Sequence, residues 1–189
     1  MPFRKDNQVL LLFGQETERL HFRKLEEADF QDWLRFCTDP LSLNYIFPND
    51  RRSAEEKCRE WFNRVYNRYE NDLGGMNVLV EKGSGKLVGQ CGLLVQKVDE
   101  KEELEIGYSL MPAFRGKGFA TEAARKCRDV CFENSISDTL ISIIHVENLD
   151  SKRVAYSNGM KPEKTTLFHQ FPVDVFRINS TEWAKQTGH

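Results

Sequence analysis

The sequence has no long hydrophobic run. The apolar stretch at residues 9–13 is far shorter than the roughly 20 residues that a membrane span requires, and it lacks the flanks of a signal peptide. The 27 basic and 29 acidic residues nearly balance, which leaves a net charge of −2. A chain with this balance does not coat nucleic acid or an anionic membrane through a general basic surface. We therefore expect a cytoplasmic protein with neither a nucleic-acid nor a membrane partner.

The sequence also lacks a cysteine pattern for disulfides or a metal. It has five cysteines, an odd number, and no Cys-x-x-Cys motif. Reduced thiols in a cytoplasm are the simplest interpretation. Cys127 and Cys131 are one helical turn apart, but no histidine lies near them in the sequence to complete a zinc site. We expect no metal, and core positions for the cysteines: Cys37, Cys58, Cys91, Cys127 and Cys131.

Two nucleotide-binding fingerprints are absent as well. The chain has no Gly-x-Gly-x-x-Gly unit after a predicted strand and no Gly-x-x-x-x-Gly-Lys-Ser/Thr loop. These absences exclude a dinucleotide-dependent enzyme of the Rossmann type and a P-loop nucleotidase. Around residues 105–124, however, the sequence has a different anion-binding pattern. Residues 104–110 alternate between apolar and polar side chains, which predicts a strand, and Pro112 ends it.

After that strand, Gly116 and Gly118 alternate with Arg115 and Lys117 and lead into a run of helix formers at residues 120–128. The start of a helix leaves backbone N–H groups unpaired, and the aligned peptide dipoles add partial positive charge there. Glycine lets a ligand approach that backbone closely. The pattern therefore predicts a phosphate or pyrophosphate site. The alternative interpretation is a solvated loop with an ordinary helix cap.

This stretch resembles the coenzyme A loop of the GNAT acetyltransferases, with the closest likeness to their RimJ/RimL-like branch. The family pattern Arg/Gln-x-x-Gly-x-Gly/Ala falls on Arg115, Gly118 and Ala120. The resemblance implies that acetyl-CoA is the cosubstrate and that the loop's backbone amides hold its pyrophosphate. The residues expected to bind it are Arg115, Gly116, Lys117, Gly118, Phe119, Ala120 and Thr121.

The resemblance extends over most of the chain, from residue 16 to about residue 183. Residues 16–20 (Glu-Thr-Glu-Arg-Leu) match the opening of RimJ/RimL-type proteins, and residues 147–154 match the family's Glu-Asn-x-x-Ser-x-x-Val segment. This second match implies that Asn148 and Ser151 contact the pantetheine of the cosubstrate. Turn and cap chemistry is the alternative role for both. In the family, the aromatic helix that starts at residue 53 and the loop before it form one wall of the acceptor site, which makes Tyr45 and Phe47 candidates for substrate contact. Core packing is the alternative role for the helix's aromatic side chains.

The expected fold is mixed α/β, the GNAT acyl-CoA N-acyltransferase fold. It has a central mixed, mostly antiparallel sheet with helices on both faces, in a single domain over residues 1–189. Ser53 and Glu56 form a capping box that predicts a helix start. The predicted strands are residues 9–13, 18–25, 76–81, 87–96, 103–110, 140–146, 166–171 and 173–178. The predicted helices are residues 26–37, a helix from residue 53 to a break at residues 73–75, residues 118–133 and residues 151–158, and residues 41–52 are expected to be irregular.

In this fold the pantetheine lies in a slot between residues 105–110 and 140–146, whose strands part at their C-terminal ends. A backbone N–H near Leu110 or Met111 then polarises the thioester carbonyl. The amine attacks directly, so the protein has to remove a proton from the ammonium and protonate the leaving thiolate. Glu105 is the expected base, acting through water. Its alternative role is a solvent-facing strand glutamate paired with lysine or arginine, and the other candidate bases are Glu103, Glu147 and His145.

The residue that protonates the thiolate is less clearly marked. Many GNAT enzymes have a tyrosine seven residues after the Asn, but Ala155 occupies that position and Tyr156 follows it. One residue along a helix rotates the side chain by about 100°, so the phenol of Tyr156 is expected to point away from the sulfur. Ser151 is the other candidate acid.

The activity that the resemblance implies is transfer of acetyl from acetyl-CoA to a primary amine. The acceptor is a protein N-terminus, such as that of a ribosomal protein, or a small molecule such as a polyamine, an antibiotic amine or an amino acid. The alternative is a CoA-binding regulatory or scaffold module without turnover. A monomer or a homodimer is expected.

Overall fold

In the computed structural model, residues 6–46 and 50–188 are described. One seven-stranded sheet has the order β1-β2-β3-β4-β5-β7-β6. Every neighbouring pair is antiparallel except β4 with β5, which is parallel. The strands are β1 (Leu20–Arg23), β2 (Gly74–Glu81), β3 (Leu87–Val98), β4 (Lys101–Leu110), β5 (Thr139–His145), β6 (Lys161–Phe168) and β7 (Phe171–Asn179).

Helices cover both faces of the sheet, as the sequence predicts. They are α1 (Asn7–Leu10), α2 (Phe30–Thr38), α3 (Pro40–Leu43), α4 (Ala54–Glu70), α5 (Phe119–Glu133), α6 (Leu149–Ser157) and α7 (Ser180–Thr187). Short 3-10 turns lie at Glu27–Asp29 and Pro112–Phe114. Among the described residues, no helix is long and apolar enough to cross a membrane.

The sheet separates two cores. On one face, Ala123 and Cys127 of α5 pack on Leu104 and Ile106 of β4. On the other face, helices α2 and α4 pack on the sheet through the fully buried Trp33, Phe62 and Val78. Side chains alternate across a strand. Since Leu104 and Ile106 point to α5, Glu103 and Glu105 must point to the face that α2 and α4 cover.

Local sequence signals explain several element boundaries. The predicted capping box is present at α4: Ser53 Oγ accepts a hydrogen bond from Glu56 N at 3.2 Å, and Glu56 Oε2 accepts one from Ser53 N at 2.7 Å. The hairpin between β3 and β4 turns at Asp99 and Glu100, whose φ angles of 47° and 64° are both positive. Such a two-residue turn matches the twist of the flanking strands.

Three predicted elements are wrong or misplaced. The strand predicted at residues 9–13 is instead α1 and a turn, because the buried side chain of Asn77 accepts the Leu12 N–H at 3.0 Å in place of a neighbouring strand. Residues 41–52, predicted to be irregular, begin within α3, which the side chain of Asp39 caps by accepting from Ser42 N at 3.0 Å. The strand predicted at residues 166–171 runs across a turn that separates β6 from β7.

All five cysteines are free and buried, as predicted for reduced core thiols. Cys91 of β3 and Cys127 of α5 face each other where the helix packs on the sheet, with 3.5 Å between their sulfur atoms. Burial raises the pKa of the Cys131 thiol to about 12, so this group is protonated at neutral pH. In the described part of the chain, no cluster of three or more histidine, cysteine, aspartate or glutamate residues could hold a metal ion.

Candidate active site

The candidate site lies where β4 and β5 separate. Their parallel pairing is centred on Glu105 and Ile141. Beyond that pair, side chains bridge the two strands: Ser142 Oγ donates to Ile106 O at 3.0 Å, and Ile143 N donates to the Glu105 carboxylate at 3.4 Å. We call the space between residues 106–110 and residues 142–145 the slot. It is at the position where the sequence predicts that these strands part.

The backbone amides of β4 near the slot have different partners. Met111 N donates to Val88 O at 2.9 Å, so this amide already belongs to the ladder with β3. Of the predicted pair of amides, this leaves the Leu110 N–H as the candidate to polarise a carbonyl. Leu110 O accepts from Arg115 Nε at 3.2 Å. Because the amides of successive strand residues point to opposite edges, Leu110 N–H points towards β5 and the slot.

The loop after β4 has the backbone geometry of an anion site. Gly116 and Gly118 have φ angles of 72° and 81°, a conformation that side-chain-bearing residues rarely adopt. The first hydrogen bond of α5 runs from Glu122 N to Gly118 O at 3.0 Å. The amides of residues 119–121 therefore have no acceptor within the helix. We call residues 115–121 the phosphate cradle.

The two basic side chains of the cradle point to different neighbours. Arg115 forms an ion pair with Asp39 at 3.1 Å and a short hydrogen bond to Ser42 Oγ. Its guanidinium thus ties the cradle to α3. Lys117 Nζ lies 5.2 Å from the centre of the Phe114 ring. These contacts place the charge of Arg115 on the α3 side of the cradle.

An interaction between distant parts of the chain supports the cradle. Glu122, in the first turn of α5, accepts hydrogen bonds from Thr17 Oγ1 at 2.5 Å, from Arg19 N at 2.9 Å and from Arg19 Nε at 2.6 Å. Burial alone would raise the pKa of Glu122, but these bonds and the charge of Arg19 outweigh it, and the pKa is lowered. We call Thr17, Arg19 and Glu122 the clamp. No local spacing in the sequence indicates the clamp, because Glu122 is about a hundred residues from Thr17 and Arg19.

Glu105 is held by groups from three elements. Its Oε2 accepts from Gln96 Nε2 at 2.7 Å, and Oε1 accepts from Ile143 N. Gln96 in turn accepts from Arg68 Nη2 at 3.0 Å. Burial raises the pKa of Glu105, while the bond from Gln96 and the charge of Arg68 oppose the rise. The alternative of a solvent-facing glutamate is therefore wrong.

The other candidate bases are placed less favourably. Glu103 forms a two-pronged ion pair with Arg177, at 2.9 and 3.1 Å, and a further pair with Lys101 at 2.8 Å. Burial would raise the pKa of Glu103, but these cations outweigh it and the pKa is lowered. Glu147 is exposed. His145, at the end of β5, stacks on Tyr45 with 4.8 Å between ring centres, and its Nδ1 accepts from Glu147 N at 3.3 Å.

The start of α6 differs from the prediction. Asn148 is the N-cap, and its Oδ1 accepts from Ser151 N at 3.1 Å, so Ser151 lies in the first turn and is not the cap. Ala155 is buried, whereas Tyr156 is 57% exposed and contacts Phe176 edge to face at 5.1 Å. The helical rotation expected between these two positions is present. The phenol of Tyr156 lies at the surface.

A different phenol lies at the slot. Tyr108 of β4 donates its hydroxyl hydrogen to Ser151 O at 2.8 Å and so joins the strand to the start of α6. Burial raises the pKa of Tyr108, which keeps this phenol protonated at neutral pH. In the sequence, Tyr108 is one apolar position of an alternating strand. Only the three-dimensional contact with α6 distinguishes it from the others.

The chain is similar to known acetyltransferases. The family model described as Acetyltransferase (GNAT) domain matches residues 19–161. The uncharacterized protein YkkB of Bacillus subtilis (strain 168) is 30% identical over 168 residues, which cover 87% of this chain and 94% of that protein. An acetyltransferase crystal structure from Agrobacterium tumefaciens has a TM-score of 0.72 at 25% identity, covering 87% of this chain and 93% of that one. RimL, a ribosomal-protein α-N-acetyltransferase in complex with coenzyme A, shares the fold at 14% identity, with a TM-score of 0.68 and coverage of 88% and 97%.

The chain therefore belongs to the GNAT acetyltransferase family. It is an acetyl-CoA-dependent N-acetyltransferase. The predictions of family, fold and enzyme class from residues 105–124 and the flanking motifs are confirmed. The assignment of residues 1–189 to a single domain stays a prediction, as does a cytoplasmic location.

Proposed function

We propose that the chain transfers acetyl from acetyl-CoA to a primary amine, which attacks the thioester carbonyl directly. The observation that carries this proposal is the adjacency of cradle, slot and α6. Arg115 Nε donates to Leu110 O across the junction of cradle and slot, and Tyr108 O–H donates to Ser151 O across the junction of slot and α6. One extended cosubstrate with an anionic end and a thioester end fits these three adjoining regions.

In this proposal, the amides of residues 119–121 bind the pyrophosphate, and the dipole of α5 assists them. The glycines in residues 115–118 let the ligand approach the backbone closely. The pantetheine lies in the slot. Asn148 Oδ1 already caps α6, so its Nδ2 is the group that donates to a pantetheine carbonyl, next to Ser151. Leu110 N–H stabilises the oxygen on which negative charge develops. Acetyl-CoA supplies the activated acetyl group.

Glu105 is the proposed base and acts through water on the incoming ammonium. Three features support this role. Its carboxylate lies at the point where β4 and β5 part, two independent donors fix its orientation, and burial brings its pKa closer to neutral pH. A base works best when its pKa is close to the working pH. Glu103 lacks this property because Arg177 and Lys101 hold it as a carboxylate.

The leaving thiolate has three candidate donors. Ser151 and Tyr156 follow from the sequence, and Tyr108 is added by its position at the slot. Tyr108 also bears on the alternative of a CoA-binding module without turnover, which the absence of a tyrosine at position 155 would favour. A phenol at the slot offers another donor for the thiolate and so weakens that argument. We therefore propose catalysis and not mere binding.

The acceptor is proposed to enter beside α3 and Tyr45, which lies over His145 at the end of β5. The candidate Phe47 lies outside the described residues. The proposed acceptor is a primary amine, either a protein N-terminus or a small molecule. The RimL neighbour, which acts on a ribosomal protein, supports the first class. A monomer or homodimer stays a prediction.

The proposal is tested by following acetyl-CoA consumption with a panel of primary amines. The panel contains peptides with free N-termini, spermidine, an aminoglycoside and free amino acids. Mass spectrometry of a cell extract incubated with the protein and isotopically labelled acetyl-CoA then identifies the acetylated product. We expect at least one amine to be turned over. Tight binding of acetyl-CoA with no product from either the panel or the extract would instead establish the module without turnover.

A further inference from the structure

The clamp connects the N-terminal segment of the chain to the phosphate cradle. Glu122 follows the cradle directly and uses both carboxylate oxygens: Oε1 accepts from Thr17 and from the Arg19 amide, and Oε2 accepts from the Arg19 guanidinium. The same guanidinium forms an ion pair with Glu122 through Nη2 at 2.6 Å. A carboxylate held by this many donors has one orientation.

Arg19 also contacts the cradle itself. Its Nη1 donates to Lys117 O at 3.0 Å, and its guanidinium carbon lies 4.4 Å from the centre of the Phe119 ring. A Cβ placed on Gly118 would lie 3.4 Å from Arg19 Nη2, so the cation sits beside the cradle backbone. Arg19 therefore touches the backbone or ring of two cradle residues and adjoins a third.

Arg19 has N–H donors that these contacts do not use. A guanidinium has five N–H donors in a fixed plane. The bonds to Glu122 and Lys117 use three of them, and the Arg19 side chain is 41% exposed. The remaining donors are available to a second acceptor. Planar guanidinium groups match phosphate oxygens well.

We propose that Glu122 is a positioning residue for the phosphate cradle and that Arg19 is an additional phosphate-binding residue of the cosubstrate site. This inference rests on the proposed binding of acetyl-CoA at residues 115–121. Glu122 fixes the guanidinium, and the guanidinium fixes the carbonyl of Lys117 and the ring of Phe119. The cradle amides are thereby oriented before the anion arrives, and the cation of Arg19 offsets the charge of Glu122 near the bound phosphates.

A purely structural ion pair predicts different results. If the clamp only stabilised the fold, changing it would shift the unfolding midpoint but would not distinguish a cosubstrate with phosphates from one without. If Glu122 acted on the cosubstrate only through its charge, Glu122→Gln would tighten binding, because a negative charge near a polyanion would be lost. A positioning role predicts weaker binding, so the sign of the change separates these two possibilities.

The experiment compares acetyl-CoA with S-acetylpantetheine, which keeps the thioester but has no phosphates. We expect Arg19→Met to lower kcat/KM for acetyl-CoA about tenfold, since a charge-assisted hydrogen bond is lost. The value for S-acetylpantetheine should be unchanged. Glu122→Gln should weaken acetyl-CoA binding in calorimetry and leave kcat at saturation close to that of the wild type. Arg125→Met, which removes the same charge from an exposed position of α5, is the matched control.

Two results would overturn the inference. One is an equal loss with both thioesters in a folded Arg19→Met protein, and the other is tighter acetyl-CoA binding by Glu122→Gln. Arg19→Lys guards against misfolding, because it keeps the cation but not the planar fork and should retain the fold with weakened binding. Failure of the cradle proposal looks different: the wild type itself would then show no preference for acetyl-CoA over S-acetylpantetheine.

Discussion

The network of Glu105, Gln96 and Arg68 makes a quantitative prediction about pH. Gln96 Nε2 donates to the carboxylate at 2.7 Å, a hydrogen bond that favours the charged form. A hydrogen bond to a charged group contributes about 1.5–3 kcal/mol. One pKa unit corresponds to about 1.4 kcal/mol. Removing the donor with Gln96→Met takes about 1.5–3 kcal/mol of stabilisation from the charged form, so the pKa of Glu105 should rise.

The direction of the kinetic effect follows from the role of a base. A base acts in its deprotonated form, so the rate falls as the pH drops through its pKa. A higher pKa moves this acidic limb of the kcat/KM profile to higher pH. Gln96→Glu should move it further, because it places a second carboxylate beside Glu105. On the same face, the charge of Arg68 lowers the pKa of Glu105, and Glu103 is ion-paired with Arg177 and Lys101.

The assay measures kcat/KM for the amine as a function of pH at saturating acetyl-CoA. It compares the wild type with Gln96→Met, Gln96→Glu and Glu105→Gln. Glu105→Gln should lose the acidic limb and about 10²-fold in kcat, with little change in acetyl-CoA affinity. In that background Gln96→Met should have no further effect on the profile. If Glu105→Gln removes the limb but Gln96→Met leaves it in place, the hydrogen-bond argument is refuted. A Glu105→Gln profile that overlays the wild type would move the base to Glu147 or His145.

Three further predictions concern the cradle and α6. Gly118→Ala and Gly118→Glu both place a side chain at a positive φ, so they share the same backbone strain. The glutamate variant should bind acetyl-CoA about tenfold or more weakly than the alanine variant, because its charge repels the phosphates. Equal affinities in calorimetry would contradict the cradle. Tyr156→Phe and Ser151→Ala should each lower kcat far less than the roughly 10²–10⁴-fold that a positioned acid contributes, and less than Tyr108→Phe; a thousandfold loss in folded Tyr156→Phe would show that its phenol reaches the sulfur. Asn148→Ala should lower the free energy of unfolding by about 1 kcal/mol through loss of the α6 cap, whereas Ser151→Ala should have a smaller effect in the same denaturation experiment.

The sequence predicts the centre of the molecule well because its signals there are local. The alternation before Pro112 and the glycines after it depend only on neighbouring residues, so β4, the cradle and the start of α5 are found at their observed positions. The capping box of Ser53 is equally local. The local pattern by itself indicates only a ligand that carries phosphate. The resemblance to the family then identifies that ligand as acetyl-CoA.

Contacts between distant residues account for what the sequence does not predict. The backbone N–H of Leu12 donates to the side chain of Asn77, where the predicted strand would need a partner strand. The Met111 N–H donates to Val88 O and so is not free to bind a thioester carbonyl. No periodicity in either strand indicates that bond. At α6 the error is of another kind, because Asn148 and Ser151 are both good caps by residue type. Only the observed bond from Ser151 N to Asn148 Oδ1 decides between them.

The parting of β4 and β5 also has a mechanical consequence. Strands β1–β4 form one antiparallel unit and β5–β7 another, each built from consecutive strands of the chain. The backbone ladder between the two units, which we call the seam, is reduced to a single parallel pair, with side-chain bridges such as that from Ser142 Oγ to Ile106 O. A cosubstrate in the slot would contact both units and hold them together. We therefore expect acetyl-CoA to slow amide hydrogen exchange in residues 106–110 and 142–145 more than in the outer strands. Uniform protection across the sheet would show that the seam is as rigid as the rest.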